Sequence, residues 1–259
     1  KIKLNLGNKK VRSVFLGVTD RKGAFLDTPF VLSGKADLIV LAPGGLNING
    51  ASFRNVNNLT FAASSRVQMD AGRSFDLLKT SAEQVSTLRL PNDVSLSESS
   101  KRFLPSGNRH SGKDLMNPFD NRPIKVSGLL SVDRDLLVVA EQPIHLTDSH
   151  LSVGGDVHIE SRLSRINFPT KSVDVLNRDK RLSAIQIDNV RGQFSGDLGL
   201  VSRSGSVGRS VTGLSVFDSD LSADGDLHVS AKASPNSPFS ESTGIDLRSS
   251  NFNADSIGP

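Results

Sequence analysis

Hydrophobic and polar residues alternate along this chain in short stretches that recur at fixed offsets. In residues 144–159 the apolar side chains stand at offsets 0, 2, 7, 9, 13 and 15 from Ile144, and residues 214–229 repeat all six offsets from Leu214. The matching pairs are Ile144 and Leu214, Leu146 and Val216, Leu151 and Leu221, Val153 and Ala223, Val157 and Leu227, and Ile159 and Val229. Both segments also carry an aspartate at offset 12, so they are copies of one repeat.

Four further segments follow the same spacing less completely, and they begin at Leu46, Ile124, Ile185 and Ile245. Ile124 lies 20 residues before Ile144, and the three later intervals between starts are 41, 29 and 31 residues. The longer intervals predict loops that project from the repeat, or an unrecognised copy for which Val173 and Val175 are candidates.

Alternation with a period of two residues is typical of a strand that buries one face. Gly, Asp, Asn and Ser separate the three alternating stretches of each copy and favour tight turns. Strands this short cannot bury their inner faces alone, whereas stacking successive copies at ~4.8 Å completes both the backbone ladder and the core. The sequence therefore predicts an all-β fold, a right-handed parallel β-helix with three faces.

The repeat spacing also predicts the organisation of the chain as one β-helix domain over residues 1–259. Residues 1–18 are expected to cap the first coil, because unpaired strand edges need cover. Residues 62–123 are expected to form an extra-helical insertion of hairpin and loop, with a short helix near residues 81–88; an independent small subdomain is the alternative. Residues 124–259 stop in mid-repeat, so we expect further coils in the parent protein.

Composition excludes several classes of site. The chain has no Cys, Trp or Tyr, so disulfides, thiol nucleophiles and thiolate metal sites are impossible. Its net charge is +4, but the two signs are interspersed, which does not favour a dedicated nucleic-acid binder. No run of residues approaches the ~18 apolar positions of a membrane helix.

A second pattern lies near the front of the chain. Residues 33–64 read SGKADLIVLAPGGLNINGASFRNVNNLTFAAS, a strand at residues 34–41 followed by a turn of Ala42, Pro43, Gly44, Gly45 and Leu46. This arrangement resembles the secretion domain of filamentous haemagglutinin-like exoproteins, the passengers of bacterial two-partner secretion, whose motif is Asn-Pro-Asn-Gly-Ile. Pro43 and Gly45 match that motif, while Ala42 and Gly44 replace its two asparagines; no Asn-Pro-Asn-Leu motif precedes it.

The resemblance implies the N-terminal segment of a large secreted exoprotein, which directs export, nucleates the β-helix and is expected to be an adhesin rather than an enzyme. The implied partner is an outer-membrane β-barrel transporter of the two-partner secretion type, with an unidentified receptor on a host or neighbouring cell. We expect a monomer in the medium or on the bacterial surface, with no cofactor and no nucleic acid bound. The lack of Cys suits export of an unfolded chain.

Candidate metal-binding residues are sparse. His158 and His228 share offset 14, but the copy with Gly199 at that offset stands between them. Two rises of ~4.8 Å then separate the imidazoles, too far for a shared metal with bonds of ~2.1 Å. The acidic residues 218–226 lack the spacing of known Ca²⁺ loops, and we expect their aspartates to accept hydrogen bonds within their own turns.

Other motifs are weaker still. The glycine-containing residues 205–208 lack the Lys-Ser/Thr of a phosphate loop, and the basic clusters at residues 9–12 and 177–181 are expected to be solvated. We therefore assign no catalytic, metal-binding or cofactor-binding residue. Two alternative functions stay open: a β-helical polysaccharide lyase or hydrolase, although such enzymes use aromatic sugar platforms, and a phage-type β-solenoid binding module, which would form trimers.

Overall fold

The computed structural model describes most of the repeat region and only parts of the intervening segments. The described residues are 1–7, 10–20, 22–63, 66–68, 74–77, 123–140, 142–163, 182–204, 211–233 and 242–258. Within these ranges the chain forms strands and turns and no helix, so it has no helix that could span a membrane.

The described residues form 20 strands. In chain order they are β1 (Ile2–Leu4), β2 (Ser13–Gly17), β3 (Ala24–Leu26), β4 (Phe30–Leu41), β5 (Leu46–Asn49), β6 (Phe53–Ala63), β7 (Arg66–Gln68), β8 (Ser74–Asp76), β9 (Ile124–Val132), β10 (Leu136–Ala140), β11 (Ile144–Val153), β12 (Val157–Leu163), β13 (Leu182–Phe194), β14 (Leu198–Ser204), β15 (Val211–Phe217), β16 (Asp220–Ala223), β17 (Asp226–Ala233), β18 (Ser242–Arg248), β19 (Asn251–Asn253) and β20 (Ser256–Gly258).

These strands build two large parallel sheets and one antiparallel pair. Sheet A runs in the order β1, β4, β6, β10, β12, β14, β17 and β20, with β2 also paired to β4. Sheet B runs in the order β18, β15, β13, β11, β9, β5 and β3, and it includes β16 and β19, which continue the row after β15 and β18. The chain passes alternately through sheet B and sheet A, and we call each such pass a coil. Coils 1 to 7 begin at β3, β5, β9, β11, β13, β15 and β18.

The register of sheet B confirms the repeat spacing. The six predicted starting residues pair directly in consecutive coils, in the order Leu46, Ile124, Ile144, Ile185, Leu214 and Ile245. A register slip of one residue would turn every apolar side chain of a coil outward, so burial of the repeat fixes this pairing. The fold is all-β with parallel sheets, as the pattern predicts, and its chain path is compatible with a β-solenoid.

The apolar repeat positions meet between the two sheets in one buried cluster. In coil 6, Leu214, Val216, Leu221 and Leu227 are at most 3% exposed, and Val229 packs against the cluster while partly buried. Gly192 replaces the apolar residue expected at offset 7 of coil 5. A Cβ on Gly192 would lie 2.9 Å from Cδ2 of Leu221 and closer still to the ring of Phe194, so Phe194 already fills that space.

Two of the three stretches predicted in each copy form one continuous strand in coils 4 and 5. Strand β11 pairs with β13 from Ile144 to Val153, and a residue with positive φ stands in the middle of each strand. Asp148 has a φ of 49° and Asn189 a φ of 54°. Aspartate and asparagine tolerate this left-handed conformation better than other non-glycine residues, which lets the chain change direction without leaving the ladder.

Sheet A differs from the expectation of strands with a single buried face. In β10, Leu136 and Val138 belong to the cluster between the sheets, while the alternating Leu137 and Val139 are only 2% and 1% exposed on the opposite face. Ile39, at 3%, shows the same burial in β4. Parallel strands buried on both faces carry continuous hydrophobic runs, which explains the sequences LLVVA and DLIVLA.

The front of the chain contains one coil that the repeat spacing did not predict. Ala24 pairs with Leu46, and Phe30 pairs with Phe53, so residues 24–41 form a coil before the first recognised copy. Strands β1 and β2, within the predicted cap at residues 1–18, both pair in parallel with β4. The capping role of those residues stays a prediction, and their position at the edge of sheet A is compatible with it.

The predicted insertion lies largely outside the described residues. Its described part contains the antiparallel pair of β7 and β8, with Val67 opposite Phe75, as a hairpin requires. The helix expected near residues 81–88, the candidates Val173 and Val175, and residues 177–181 and 205–208 lie outside the described ranges.

Candidate functional site

The turn predicted as a secretion motif connects sheet A to sheet B between coils 1 and 2. The Gly45 N–H donates to the Ala42 carbonyl oxygen at 2.9 Å and closes a four-residue turn, with Pro43 at the second position, where its fixed φ is favourable. Gly45 has a φ of 92°, which a residue with a side chain rarely adopts. Two further backbone bonds hold the turn: Ala24 N–H donates to Gly45 at 3.0 Å, and Ala42 N–H donates to Ala62 at 2.9 Å.

All five motif residues are buried. Ala42 is fully buried and Leu46 is 2% exposed, and Pro43, Gly44 and Gly45 lie between them in the same buried turn. Gly23 of the preceding coil packs against this turn, because a Cβ there would lie 2.6 Å from the Gly44 carbonyl oxygen. In the folded chain the motif is therefore a packing element that offers little surface to a partner.

A row of aspartates follows the turn from sheet B to sheet A in coils 3 to 6. The Asp156 N–H donates to Oδ1 of Asp135 at 3.1 Å, the Asp197 N–H to Oδ1 of Asp156 at 3.0 Å, and the Asp226 N–H to Oδ1 of Asp197 at 2.9 Å. Oδ1 of Asp226 in turn accepts from the Ser256 hydroxyl at 2.6 Å. The hydrogen bonds of Asp226 thus run to neighbouring coils, whereas the sequence led us to expect bonds within its own turn.

A glycine precedes three of these aspartates, and the structure gives the reason. A Cβ on Gly155, Gly196 or Gly225 would collide with the carboxylate oxygen of the aspartate one coil earlier. The Gly-Asp pairs are therefore a joint between coils, in which glycine leaves room for the carboxylate that binds the next backbone N–H. The row is structural, and it explains the aspartate conserved in position between the copies of the repeat.

Charge accumulates along this row. Burial raises the pKa of Asp135, and the neighbouring Asp156 carboxylate raises it further, while the hydrogen bond from the Asp156 backbone opposes both effects. Asp37 accepts the equivalent bond from the Asn58 N–H at 3.2 Å in coil 2, and burial likewise raises its pKa. Both carboxylates would therefore be more favourable in the fold if they were uncharged.

The outer face of sheet B holds a second feature, a concave groove of about 540 Å³ across coils 4 to 7. One row of the groove is formed by outward residues at offset 6, which pair in consecutive coils as His150, Arg191, Asp220 and Asn251. The remaining lining residues are Asn189, Gly192, Gln193, Asp218, Ser219, Ser222 and Ser249. Sequence reasoning missed this groove, although counting outward residues by the same offsets would have found its central row.

The histidine pair considered for metal binding is separated as expected. His158 pairs with Gly199, and Gly199 pairs with His228, so a full coil lies between the two imidazoles. Nε2 of His158 instead lies 3.5 Å from Oε2 of Glu160 in the same strand. Among the described residues, no three His, Asp or Glu side chains are arranged to hold a metal ion.

Comparisons with known proteins gave no match: no family model, no curated protein and no solved structure matches this chain. The resemblance of residues 33–64 to the two-partner secretion domain therefore remains a prediction from those residues.

Proposed function

We propose that this chain is the N-terminal segment of a secreted two-partner secretion exoprotein, a non-enzymatic adhesin that acts in the medium or on the bacterial surface. In this proposal residues 33–64 direct export through an outer-membrane β-barrel transporter and start the folding of a right-handed parallel β-helix with three faces. Its parent would display further coils to a receptor, and the chain would be monomeric.

The observation that carries the proposal is the packing of the Ala42–Leu46 turn. The Ala24 N–H donates to Gly45 and the Ala62 carbonyl oxygen accepts from Ala42, and these hydrogen bonds tie the turn to strands before and after it, so the turn orders coils 1 and 2 together. In stacked repeats each coil gains stability from its neighbour, and folding can begin at one end and propagate. A turn that orders the first two coils is a suitable starting point for a chain that folds as it emerges from a pore.

The burial of the motif adds a condition to this proposal. Because Ala42, Pro43 and Gly45 are buried in the folded chain, a transporter could contact them only before coils 1 and 2 have formed. Recognition would then precede folding, and formation of the turn would release the segment from the transporter.

The three-faced architecture is supported by the change of direction inside sheet B. Asp148 and Asn189 in the middle of β11 and β13 have positive φ values, as does Asp218 between β15 and β16. These residues separate the first alternating stretch of a coil from the second, and sheet A supplies the third. The twist of parallel strands and the usual handedness of β-crossover connections favour the right-handed form.

Secretion of point variants tests the export role. Gly45→Ala should reduce the amount of parent protein in the culture medium of the source bacterium, because alanine is strained at a φ of 92°. Gly50→Ala is the matched control and should leave secretion unchanged, since its φ of 67° lies in the left-handed region that non-glycine residues can adopt and its Cβ would meet nothing within 4 Å. A deletion of residues 33–64 should abolish secretion. Equal secretion of the deletion variant and the wild type would refute the export role.

A further inference from the structure

The groove on the outer face of sheet B has no role in the function proposed above. It lies on coils 4 to 7, whereas the proposed export turn lies between coils 1 and 2. Its central row contains an imidazole, a guanidinium, a carboxylate and an amide, at the ~4.8 Å spacing of neighbouring parallel strands. The floor of the groove is formed by Gly192, which is buried, and by Ser219, which is only 3% exposed.

The polar groups of this groove are available to a ligand. In the described part of the chain, the side chains of Arg191, Gln193 and Asp220 have no hydrogen-bond partner. All three are exposed. Arginine donates, aspartate accepts, and the amides of Gln193 and Asn251 do both, so the groove can satisfy a ligand that carries closely spaced donors and acceptors.

The charges of the lining argue against a polyanion. One arginine, Arg191, pairs with Asp220 of the next coil, and Asp218 of that same coil also lines the groove, so the single guanidinium is opposed by two carboxylates. Binding of nucleic acid or a sulfated glycan depends on several unopposed basic side chains, which the lining does not provide. A ligand without net charge avoids repulsion from either carboxylate.

The backbone and the apolar content of the groove argue against a peptide. Strands β11, β13 and β16 beneath it are internal to sheet B, and their N–H and C=O groups are used in ladders on both sides. Strand addition is therefore possible only at β19, the last strand of the row, and not along the groove itself. The lining residues include no large apolar side chain that could form a pocket for a peptide anchor. A hydroxyl-rich ligand needs neither a free strand edge nor an apolar pocket.

We infer that this groove is a binding site for a neutral oligosaccharide, which lies along the stack of coils and is held by Arg191, Gln193, Asp220 and Asn251. Sugar hydroxyls both donate and accept hydrogen bonds, as these side chains do. The lining contains no Phe, Tyr or Trp side chain for stacking, so affinity comes from hydrogen bonds that repeat from coil to coil. A longer glycan therefore binds more tightly than a short one.

The test uses the purified chain and three neutral probes, cellohexaose, maltohexaose and chitohexaose, with a heparin hexasaccharide as the anionic comparison. Saturation-transfer NMR detects weak binding, and titration of backbone amide signals locates it. We expect at least one neutral probe to bind and to shift the amide signals of residues 150, 191, 193, 220 and 251. The corresponding disaccharide should bind more weakly.

Three variants with exposed side chains make the test specific. Gln193→Ala and Asn251→Ala should each weaken binding about threefold to tenfold, the effect of losing one hydrogen bond. Asn47→Ala is the matched control, since Asn47 is an exposed strand asparagine of sheet B outside the groove, and it should bind as the wild type does. Circular dichroism confirms that each variant is folded.

Three results would overturn the inference: no binding of any neutral probe, equal binding by the groove variants and the wild type, or tighter binding of the heparin hexasaccharide. The inference does not depend on the export role, because the binding test uses chain that has already folded. Loss of secretion in the Gly45→Ala variant and loss of glycan binding in the Asn251→Ala variant are separate outcomes.

Discussion

Replacing Gly196 with alanine tests the joint that connects coil 4 to coil 5. A Cβ at this position would collide with Oδ1 of Asp156 and would lie 2.9 Å from both the Asp156 nitrogen and the Gly155 carbonyl carbon. The Asp156 side chain could rotate away only by giving up its hydrogen bond with the Asp197 N–H, which is 3.0 Å long. The two backbone contacts would remain, so the coils would have to move apart locally.

These contacts set the size of the effect. Loss of the hydrogen bond costs about 1 kcal/mol, and overpacking against backbone costs about 1–3 kcal/mol. Gly196→Ala should therefore lower the free energy of unfolding by about 2–4 kcal/mol, the sum of the two effects. In the double variant Gly196→Ala with Asp156→Ala the closest collision disappears while the backbone contacts remain. Its loss of unfolding free energy should therefore be smaller than the sum of the two single losses, but the part due to the backbone contacts should persist.

Urea unfolding followed by far-ultraviolet circular dichroism measures this loss. Gly244→Ala is the control, because Gly244 lies in strand β18 of sheet B and its Cβ would meet nothing within 4 Å. Its stability should stay within about 1 kcal/mol of the wild type. If Gly196→Ala were no less stable than Gly244→Ala, the glycines of the Gly-Asp pairs would not be required by close packing between coils.

Three further substitutions test the core and the buried charges by the same unfolding measurements. Ile185→Ala should cost about 2–5 kcal/mol, because Ile185 is fully buried at a shared start of the repeat, and a loss below about 1 kcal/mol would contradict its place in the core. Burial raises the pKa of Asp135, so Asp135→Asn should stabilise the chain at neutral pH. The gain should disappear below pH 3.8, where the carboxyl is protonated in the folded and the unfolded chain alike. A gain in stability that is independent of pH would show that the buried charge is not its cause. Burial, together with the Lys125 charge, lowers the pKa of His145, so the wild type should lose stability as the pH falls below 6.5 and His145→Gln should lose less; identical pH profiles would refute the effect.

The inward side of the fold was predictable because burial constrains it in each coil that has a neighbour on both sides. Ile185 and Leu214 occupy the same register although they are 29 residues apart, since an inward position must be apolar and a slip would expose it. The loops between coils change the interval but not the offsets inside a coil. Counting offsets from one apolar residue therefore located six of the seven coils.

The sequence pattern did not predict the first coil, and there is a physical reason for this. Strand β4 is buried on both faces at Leu38, Ile39, Val40 and Leu41, so the alternation that marks a half-buried strand is absent there. A continuous apolar run fits several registers equally well. The pairing of Ala24 with Leu46 and of Phe30 with Phe53 resolves the register in the structure.

The outward side of the fold is where sequence reasoning finds least, and the groove shows why. Its central residues are 41, 29 and 31 positions apart along the chain, and they are four different residue types. No local motif can contain them, because only the stacking of coils brings His150, Arg191, Asp220 and Asn251 into one row. The inner positions determine the register of every coil, while the outward positions are free to vary without unfolding the stack. The positions of a binding surface on this fold therefore follow the same offsets as the core positions. The residue types at those outward positions depend on the ligand rather than on burial.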